Sequence, residues 1–249
     1  MDVELFEKDK PVTVSNFIAY VQSGRYQSNF IHRCDPTFVI QGGGFNVGPN
    51  GIDYVPTFAP IKNEYGSGNI YSNRYATIAM AKQSGNTNSA TSQWLFNLYD
   101  NLFLDTHDDN NYFTVFGRVV RGTNVLNAFQ SFTYWQGTTD GSESNLIRNW
   151  SDRFGSAFGV WPFLTSRFTY NDLVYVDISL LNVQIQNVNN ARQISWNSIN
   201  GKTNRIEFTT TMPPVWSLLV ATNGNGNTIT IRDTNTVADR RFYRVTVDY

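Results

Sequence analysis

IHRCDPTFVIQGGGF, residues 31–45, is the stretch that decides the fold. It places Arg33 among apolar residues, and a desolvated guanidinium is costly unless a polar group meets it. From Phe38 to Gln41 the side chains alternate in a way that predicts a strand with one face in the interior and one in a groove. The three glycines at 42–44 allow the backbone to turn sharply or to approach a ligand closely. The residues alone therefore predict a hydrophobic groove anchored by polar side chains.

Two helices and many short strands are predicted along the first 180 or so residues. The first helix has apolar residues spaced from Val14 to Val21, with Thr13 as its N-cap and Gly24 just past its end. The second, shorter helix follows Gly122. Strand-like runs separated by Gly-, Asn- and Pro-rich loops lie at 31–32, 38–41, 76–81, 93–98, 115–120 and 173–181. This content predicts a closed antiparallel barrel capped at its ends.

The segment at 31–45 is one of several motifs that follow one another in a fixed order. The others are PVTVSNFIAYVQSGRYQS (11–28), YATIAMAK (75–82), NTNSATSQWLFNL (86–98), NLFLD (101–105), FTVFGRVVRGTNVL (113–126) and DLVYVDISLL (172–181). In this order they resemble the motifs of cyclophilin-type peptidyl-prolyl cis-trans isomerases, over roughly residues 3–185. The resemblance implies a mainly β fold, an eight-stranded antiparallel barrel capped by two helices.

The resemblance also implies an isomerase that acts on X-Pro bonds of protein substrates and assists folding. It assigns to Arg33 a hydrogen bond to the prolyl nitrogen in the twisted transition state, and to Gln41 the orientation of that arginine. Phe38 completes the implied catalytic set. The positions that match substrate-binding residues of the family are Val39, Ala81, Lys82, Gln93, Leu95, Phe103, Leu104 and Phe113. No metal and no cofactor is implied.

Several of these positions depart from the family pattern. Val39 stands where methionine is usual, Leu95 where phenylalanine is usual, and Phe113 where many members carry histidine. Phe103 falls where some members carry a tryptophan linked to tight cyclosporin binding, so we expect weak inhibition by cyclosporin. These departures keep a second hypothesis open: a proline-peptide binding module with little or no turnover, displayed at the cell envelope by its C-terminal β-module.

The pattern of the chain changes after residue 181. Alternating strands joined by Asn-Gly turns predict a small all-β module of immunoglobulin or fibronectin type III style, similar to modules of bacterial secreted proteins. We therefore predict an isomerase-like domain at 1–185 and a small β-sandwich-like module at 191–249, with a seam at 184–190. Residues 131–170 show no clear period, and their aromatic content predicts an ordered surface excursion.

Composition limits the partners and the compartment. The chain has 249 residues, 41% of them hydrophobic, and a formal net charge of −1, which favours a packed core and gives no basic field for nucleic acid. No apolar run is long enough to span a membrane. We expect a monomer acting on proline-containing peptides and on unfolded or partly folded proteins. The 16% of charged residues and the abundance of Asn, Thr, Ser and Gly favour an extracytoplasmic setting over the cytoplasm. The sequence starts almost inside a strand pattern, and we expect that Met1 replaces a removed leader or a longer native start.

Other motifs have simpler explanations than catalysis. Adjacent acidic residues in a loop are usually solvated, so a metal site is not expected at Asp105, His107, Asp108 and Asp109. With only two histidines a hydrolase triad is hard to assemble, and His32 is predicted to lie in the core. Cys34, the only cysteine, is predicted to be inert. Three tryptophans could form a carbohydrate-binding face, but a packed core of the excursion is the commoner explanation: Trp135, Trp150 and Trp161.

Overall fold

The computed structural model describes residues 1–106, 112–137, 139–154, 156–189, 191–235 and 240–248. The chain divides into two compact units, Met1 with Val3–Ile178 and Asp2 with Ser179–Tyr249. This division lies before the sequence-based boundary at 185. The reason is that Val183–Val188 pairs antiparallel with Ala191–Asn197, so the predicted seam falls inside a β-hairpin of the second unit. The assignment of an isomerase domain and a sandwich-like module stays a prediction.

The first unit is mainly β, as predicted. Its strands are β1 (Asp2–Leu5), β2 (Asn29–Phe30), β3 (Arg33–Cys34), β4 (Val39–Gly42), β5 (Phe45–Gly48), β6 (Gly51–Tyr54), β7 (Thr77–Met80), β8 (Trp94–Asn97), β9 (Val115–Arg121), β10 (Thr133–Tyr134), β11 (Ser144–Arg148), β12 (Trp161–Thr165) and β13 (Tyr175–Val176). The helices are α1 (Pro11–Gln22), α2 (Asn124–Gln130) and α3 (Ser151–Phe154), with 3-10 turns at Leu102–Asp105, Ser156–Phe158 and Tyr170–Asp172.

These strands form a six-stranded sheet in the order β1-β9-β7-β8-β4-β3 and a four-stranded sheet in the order β13-β2-β5-β6. The pairs β3–β4, β4–β8, β7–β8 and β7–β9 are antiparallel. The hydrogen bonds assign the two sheets separately, so closure into one eight-stranded barrel stays a prediction. The main core lies against the six-stranded sheet and includes Phe17 of α1, Leu126 of α2 and Phe116 of β9.

Two strand predictions were wrong in detail. Residues 31–32 lie between β2 and β3 and belong to neither strand. The closing strand ends at Val176 and does not continue to 181. Leu180 and Leu181 instead join the second unit, where the Leu180 carbonyl accepts a hydrogen bond from the Asn197 amide and Leu181 packs on the apolar core.

Helix α1 begins earlier than its sequence indicated. Lys10 is the N-cap, Pro11 occupies the first helical position, and Thr13 is buried inside the first turn, so Thr13 is not the cap. The free N–H groups of this turn are satisfied from another segment, because the Glu64 carboxylate accepts from the Thr13 amide at 2.7 Å. Gly24 follows the helix end with φ of +71°, as predicted.

The excursion at 131–170 is ordered, as predicted. It contains the three-stranded sheet β10-β11-β12 and a second apolar core, of which Trp161 and Phe163 are each 1% exposed. Trp150 and Trp135 are half-buried against this core. Packing therefore accounts for Trp161, while the other two tryptophans keep part of their surface in solvent.

The second unit is also built from antiparallel strands. They are β14 (Val183–Val188), β15 (Ala191–Asn197), β16 (Thr203–Thr209), β17 (Ser217–Asn223), β18 (Thr228–Asp233) and β19 (Phe242–Asp248), in sheets β14-β15-β18 and β17-β16-β19. Ile194, Trp196 and Ile206 form its fully buried core. Likeness to immunoglobulin or fibronectin modules stays a prediction. Within the described parts of the chain, no helix has the length and apolar character that a membrane crossing needs.

Candidate functional site

Arg33 and Gln41 form the centre of the candidate site. They lie directly opposite each other in the β3–β4 pair, and Nη1 of Arg33 donates to Oε1 of Gln41 at 3.4 Å. Nε2 of Gln41 donates in turn to Oε1 of Gln93 at 2.6 Å. Among the described residues no carboxylate forms an ion pair with Arg33, so an internal salt bridge does not account for it. The guanidinium is half-buried and oriented by an amide.

A buried apolar cluster lies beside this polar chain. It consists of Val39, Ala79, Leu95 and Val115, contributed by the adjacent strands β4, β7, β8 and β9. Leu95 is paired with Gln41 across β4 and β8, which brings the cluster and the polar chain onto neighbouring strands. The partly buried side chains packed against it are Phe6, Phe38, Tyr71, Ala81 and Phe113. The polar chain and the apolar cluster thus lie on neighbouring strands, while the groove expected from residues 31–45 stays a prediction.

Phe38 lies between Arg33 and the exposed ring of Phe103, which forms the rim of the site. Its ring centroid lies 5.6 Å from Cζ of Arg33, and it stacks on Phe103 at 5.3 Å. Phe103 is 54% exposed, which places it at the solvent side. The Phe38 carbonyl accepts from Nδ2 of Asn101 at 3.0 Å, and this bond holds the loop that carries the ring.

The other predicted binding residues contact one another: Lys82, Phe113, Leu104, Ala81 and Gln93. Nζ of Lys82 is 4.5 Å from the centroid of Phe113, and the Phe113 amide donates to the carbonyl of the buried Leu104 at 3.0 Å. Burial lowers the pKa of Lys82. The Ala81 amide donates to the Gln93 carbonyl at 2.9 Å. The structure thus brings the predicted catalytic and binding residues together, while their roles stay predictions.

The glycines at the end of β4 and just after it serve close packing. A Cβ on Gly42 would lie 2.6 Å from the Trp94 indole, and one on Gly43 would lie 2.3 Å from the Ser92 carbonyl oxygen. Gly43 also has φ of +79°, which disfavours any other residue. These glycines therefore allow the backbone to approach the chain's own residues 92–94 closely, while the close approach to a ligand stays a prediction.

His32 and Cys34 do not supply acid–base or thiol chemistry. Burial, with a smaller effect of the Arg33 charge, lowers the pKa of His32 to about 3, while a hydrogen bond with Gln93 opposes this shift. Burial, assisted by Asp35, raises the pKa of the Cys34 thiol to about 12. His32 is 2% exposed and Cys34 fully buried, so both core predictions are confirmed.

Two parts of the site were missed at the level of sequence. Phe6 and Tyr71 stack at 4.0 Å and pack against the apolar cluster, although they are far apart along the chain. Asn101, which donates to the Phe38 carbonyl, is itself held by Asn97, whose Oδ1 accepts from Nδ2 of Asn101 at 2.8 Å. Asn97 ends β8 and Asn101 lies in the loop that follows, and such isolated asparagines carry no periodic signal that distinguishes them from solvated ones.

The acidic loop considered as a metal site is only partly described, because His107, Asp108 and Asp109 lie outside the described residues. The Asp105 carboxylate accepts from Nδ2 of Asn73 at 2.7 Å and from the backbone N–H of Asn73 at 3.0 Å. These two bonds give Asp105 a structural role. Within the described ranges no group of three or more potential ligand residues could hold a metal ion.

Comparison with known proteins gives a consistent family. A family model described as "Cyclophilin type peptidyl-prolyl cis-trans isomerase/CLD" matches residues 1–149, which include Arg33, Phe38 and Gln41. A peptidyl-prolyl cis-trans isomerase of Acinetobacter baylyi is 39% identical over 126 residues, covering 51% of this chain and 64% of the relative. Isomerase cyp18 of Streptomyces antibioticus is 40% identical over 131 residues, covering 51% and 75%.

Isomerase A of Dickeya dadantii is 40% identical over 125 residues, covering 50% of this chain and 63% of the relative. This chain thus spans less than two thirds of the length of the Acinetobacter and Dickeya relatives. Among solved structures, a cyclophilin-type isomerase of Cryptosporidium parvum, in the presence of the dipeptide Ala-Pro, aligns with a TM-score of 0.40 and 21% identity. That alignment covers 71% of this chain and 92% of the other.

Proposed function

This chain belongs to the family of cyclophilin-type peptidyl-prolyl cis-trans isomerases, and we propose that it interconverts cis and trans X-Pro bonds of protein substrates and assists their folding. One observation carries the proposal. The half-buried guanidinium of Arg33 is held by Gln41, without a neutralising carboxylate among the described residues, beside the apolar cluster that contains Val39 and Leu95. A substrate proline whose ring binds in that cluster has its nitrogen near the guanidinium of Arg33.

The chemistry follows from the electronic structure of the amide. Rotation about the X-Pro bond has a barrier of ~18–20 kcal/mol because the nitrogen lone pair is delocalised onto the carbonyl. In the twisted transition state the nitrogen becomes pyramidal and accepts a hydrogen bond, whereas in the planar ground state it accepts almost none. A donor from Arg33 therefore stabilises the transition state more than the bound substrate, and no covalent intermediate is required.

The energies require help from the rest of the groove. A ~1,000-fold acceleration corresponds to about 4 kcal/mol. One charge-assisted hydrogen bond contributes about 1.5–3 kcal/mol, so Arg33 alone falls short. Orientation of the guanidinium by Gln41 and Gln93, and of the proline by the apolar cluster, supplies the remainder. The position of Phe38 between Arg33 and Phe103 supports a contact of its ring with the substrate as well.

Partners and compartment are part of the same proposal. Proline-containing peptides and unfolded or partly folded chains fit a half-buried groove with a partly exposed aromatic rim, and we propose that the protein acts on them as a monomer. A net charge of −1 gives no attraction to nucleic acid. The low fraction of charged residues, 16%, supports an extracytoplasmic setting.

A second function has one observation in its favour. The ammonium of Lys82 lies over the ring of Phe113, at a position where many members of the family carry histidine, and Leu95 replaces a larger aromatic wall. A groove with altered walls retains affinity for proline while it loses the orientation that turnover needs. The alternative is therefore a proline-peptide binding module with little turnover, displayed at the cell envelope by the second unit.

Isomerisation of an Ala-Pro peptide, measured by NMR exchange or by a protease-coupled assay, separates the two functions. We expect Arg33→Ala to lower kcat/KM by roughly 10- to 100-fold, since it removes one charge-assisted contact. Arg118→Ala is the matched control, because Arg118 is exposed and its ion pair among the described residues is with the surface residue Glu4. Peptide binding with equal exchange rates for wild type and Arg33→Ala would contradict the enzyme and favour the binding module.

A further inference from the structure

Arg148, the last residue of β11, lies among three aromatic rings. Its Cζ is 4.5 Å from the ring centroid of Trp135, 4.7 Å from that of Trp150 and 4.4 Å from that of Phe168. Aromatic faces attract cations electrostatically, and a guanidinium stacks on them well because it is planar. The three rings therefore hold the side chain of Arg148 in one place.

The rings are themselves held by the excursion core. Trp150 packs edge-on against Trp161 at 5.4 Å and against Phe163 at 5.2 Å, both of which are 1% exposed. Phe168 is buried and meets Trp135 edge-on at 5.4 Å. Because the supporting residues are close-packed, the guanidinium loses little further freedom when it binds a ligand.

Among the described residues, no acceptor meets the hydrogen-bond donors of this guanidinium. Its side chain also has no ion pair in that part of the chain. Its nitrogens are also not among the buried atoms that lack a partner, so they keep contact with solvent. Burial lowers the pKa of Arg148, and no carboxylate opposes that shift. A partly desolvated charge with free donors is a favourable partner for an anion.

Two arginines of the second unit show how a guanidinium on an aromatic ring can be neutralised. Arg241 lies 3.9 Å from the Phe208 centroid and pairs with the Asp233 carboxylate. Arg244 lies 4.5 Å from the Trp216 centroid and pairs with a glutamate carboxylate at 2.6 Å. In both cases an aromatic face and a carboxylate satisfy the guanidinium together. Arg148 has the aromatic faces, and no carboxylate of the described residues pairs with it.

We propose that Arg148, Trp135 and Trp150 form a binding site for a carboxylate carried on a ring with C–H faces, as in the uronic acid units of acidic carbohydrates. The planar fork of the guanidinium matches a carboxylate in two parallel hydrogen bonds. The half-buried indoles offer apolar surface to the C–H face, and the neighbouring Tyr134 is 52% exposed. A bare inorganic anion uses only the guanidinium. This site uses none of the groove residues and stands independently of isomerisation.

Titration of the full chain with methyl β-D-glucuronide, followed by calorimetry and by the indole N–H resonances in NMR spectra, tests the site. The neutral methyl β-D-glucoside and sodium acetate are the matched probes. We expect glucuronide to bind at least about tenfold more tightly than either, because each lacks one of the two interactions. If the glucoside binds as tightly as the glucuronide, the charge of Arg148 does not contribute to binding. If acetate binds as tightly, the sugar ring does not contribute. Either result contradicts the proposal. Absence of saturable glucuronide binding also overturns it.

Variants test the same site on the protein side. Arg148→Gln removes the charge, and Arg148→Lys keeps a cation in the aromatic cage while it removes the bidentate fork. We expect each to weaken glucuronide binding at least about tenfold, with Arg118→Gln unchanged as the control. If Arg148→Gln does not fold, the proposal is tested by the affinity of Arg148→Lys for glucuronide and by the three probes titrated into the wild type. Unchanged affinity in a folded Arg148 variant contradicts the proposal.

Discussion

Arg33 and Gln41 occupy directly opposed positions of the β3–β4 pair, and the amide oxygen of Gln41 accepts from the guanidinium at 3.4 Å. The side-chain nitrogen of Gln41 donates to Oε1 of Gln93 at 2.6 Å, so the Gln41 oxygen faces the arginine and the Gln41 nitrogen faces away. The orientation of Arg33 therefore depends on an amide that is itself fixed by a third residue. A side chain that acts through another in this way is expected to affect turnover more than binding.

Replacement of Gln41 by leucine tests this dependence. Gln41→Leu keeps much of the side-chain volume and removes the acceptor for Arg33. We expect kcat for an Ala-Pro peptide to fall by roughly 2- to 10-fold with a smaller change in KM, because one neutral partner of a charged donor is lost. Gln27→Leu, at an exposed position, is the control. An unchanged kcat would mean that Arg33 needs no support from Gln41.

His32 makes stability depend on pH in a window set by its lowered pKa. Burial lowers that pKa to about 3, while an unfolded histidine titrates near 6.5, so between these values the unfolded state binds more protons. We expect the free energy of unfolding to rise from pH 5 to about pH 6.5, by up to ~1.4 kcal/mol per pH unit, and then to level off. Urea unfolding at several pH values measures this slope.

The matched variant for the pH experiment is His32→Phe, which keeps a planar ring beside Phe45, whose centroid lies 5.0 Å away. We expect its slope between pH 5 and 6.5 to be smaller than that of the wild type, because the buried titrating group is gone. An identical slope in both proteins would assign the effect to another group.

Removal of residues 179–249 tests the independence of the first unit. Every predicted catalytic and substrate-binding residue lies before residue 179. The cut after Ile178 also leaves the pairing of β13 with β2 intact. We expect the fragment to isomerise an Ala-Pro peptide with the kcat/KM of the full chain within about twofold. A fragment that is folded by circular dichroism yet inactive would indicate that the second unit contributes to the site.

Phe103 offers a gain-of-affinity experiment at the rim of the groove. Because it is 54% exposed and stacks on Phe38, a larger ring there extends into solvent and meets no core atoms. We expect cyclosporin to inhibit the wild type weakly and Phe103→Trp about tenfold more strongly, since the indole adds surface and an N–H donor. Leu102→Trp, at a neighbouring exposed position, controls for added bulk. Tight inhibition of the wild type would contradict the role given to this position.

Much of the site was predictable because it is local. Arg33 and Gln41 belong to one short hairpin, so the alternation of residues 38–41 and the glycines that follow predicted both a strand and a groove. The apolar spacing of α1 and α2 predicted two helices in the same way. Buried Cys34 and His32 followed from the apolar strand environment. In each case a few neighbouring residues carry the whole signal.

These sequence patterns do not predict contacts between segments that are distant along the chain. Gln93 meets Gln41 across 52 positions, and the Glu64 carboxylate that satisfies the start of α1 lies 51 positions from Thr13. The cage around Arg148 combines three rings from different segments of the excursion. The amino-acid sequence by itself determined the periodicities, the motif order and hence the family. Only the tertiary structure decided these pairings, because they depend on sheet register and packing, where a shift of one residue turns a side chain to the opposite face.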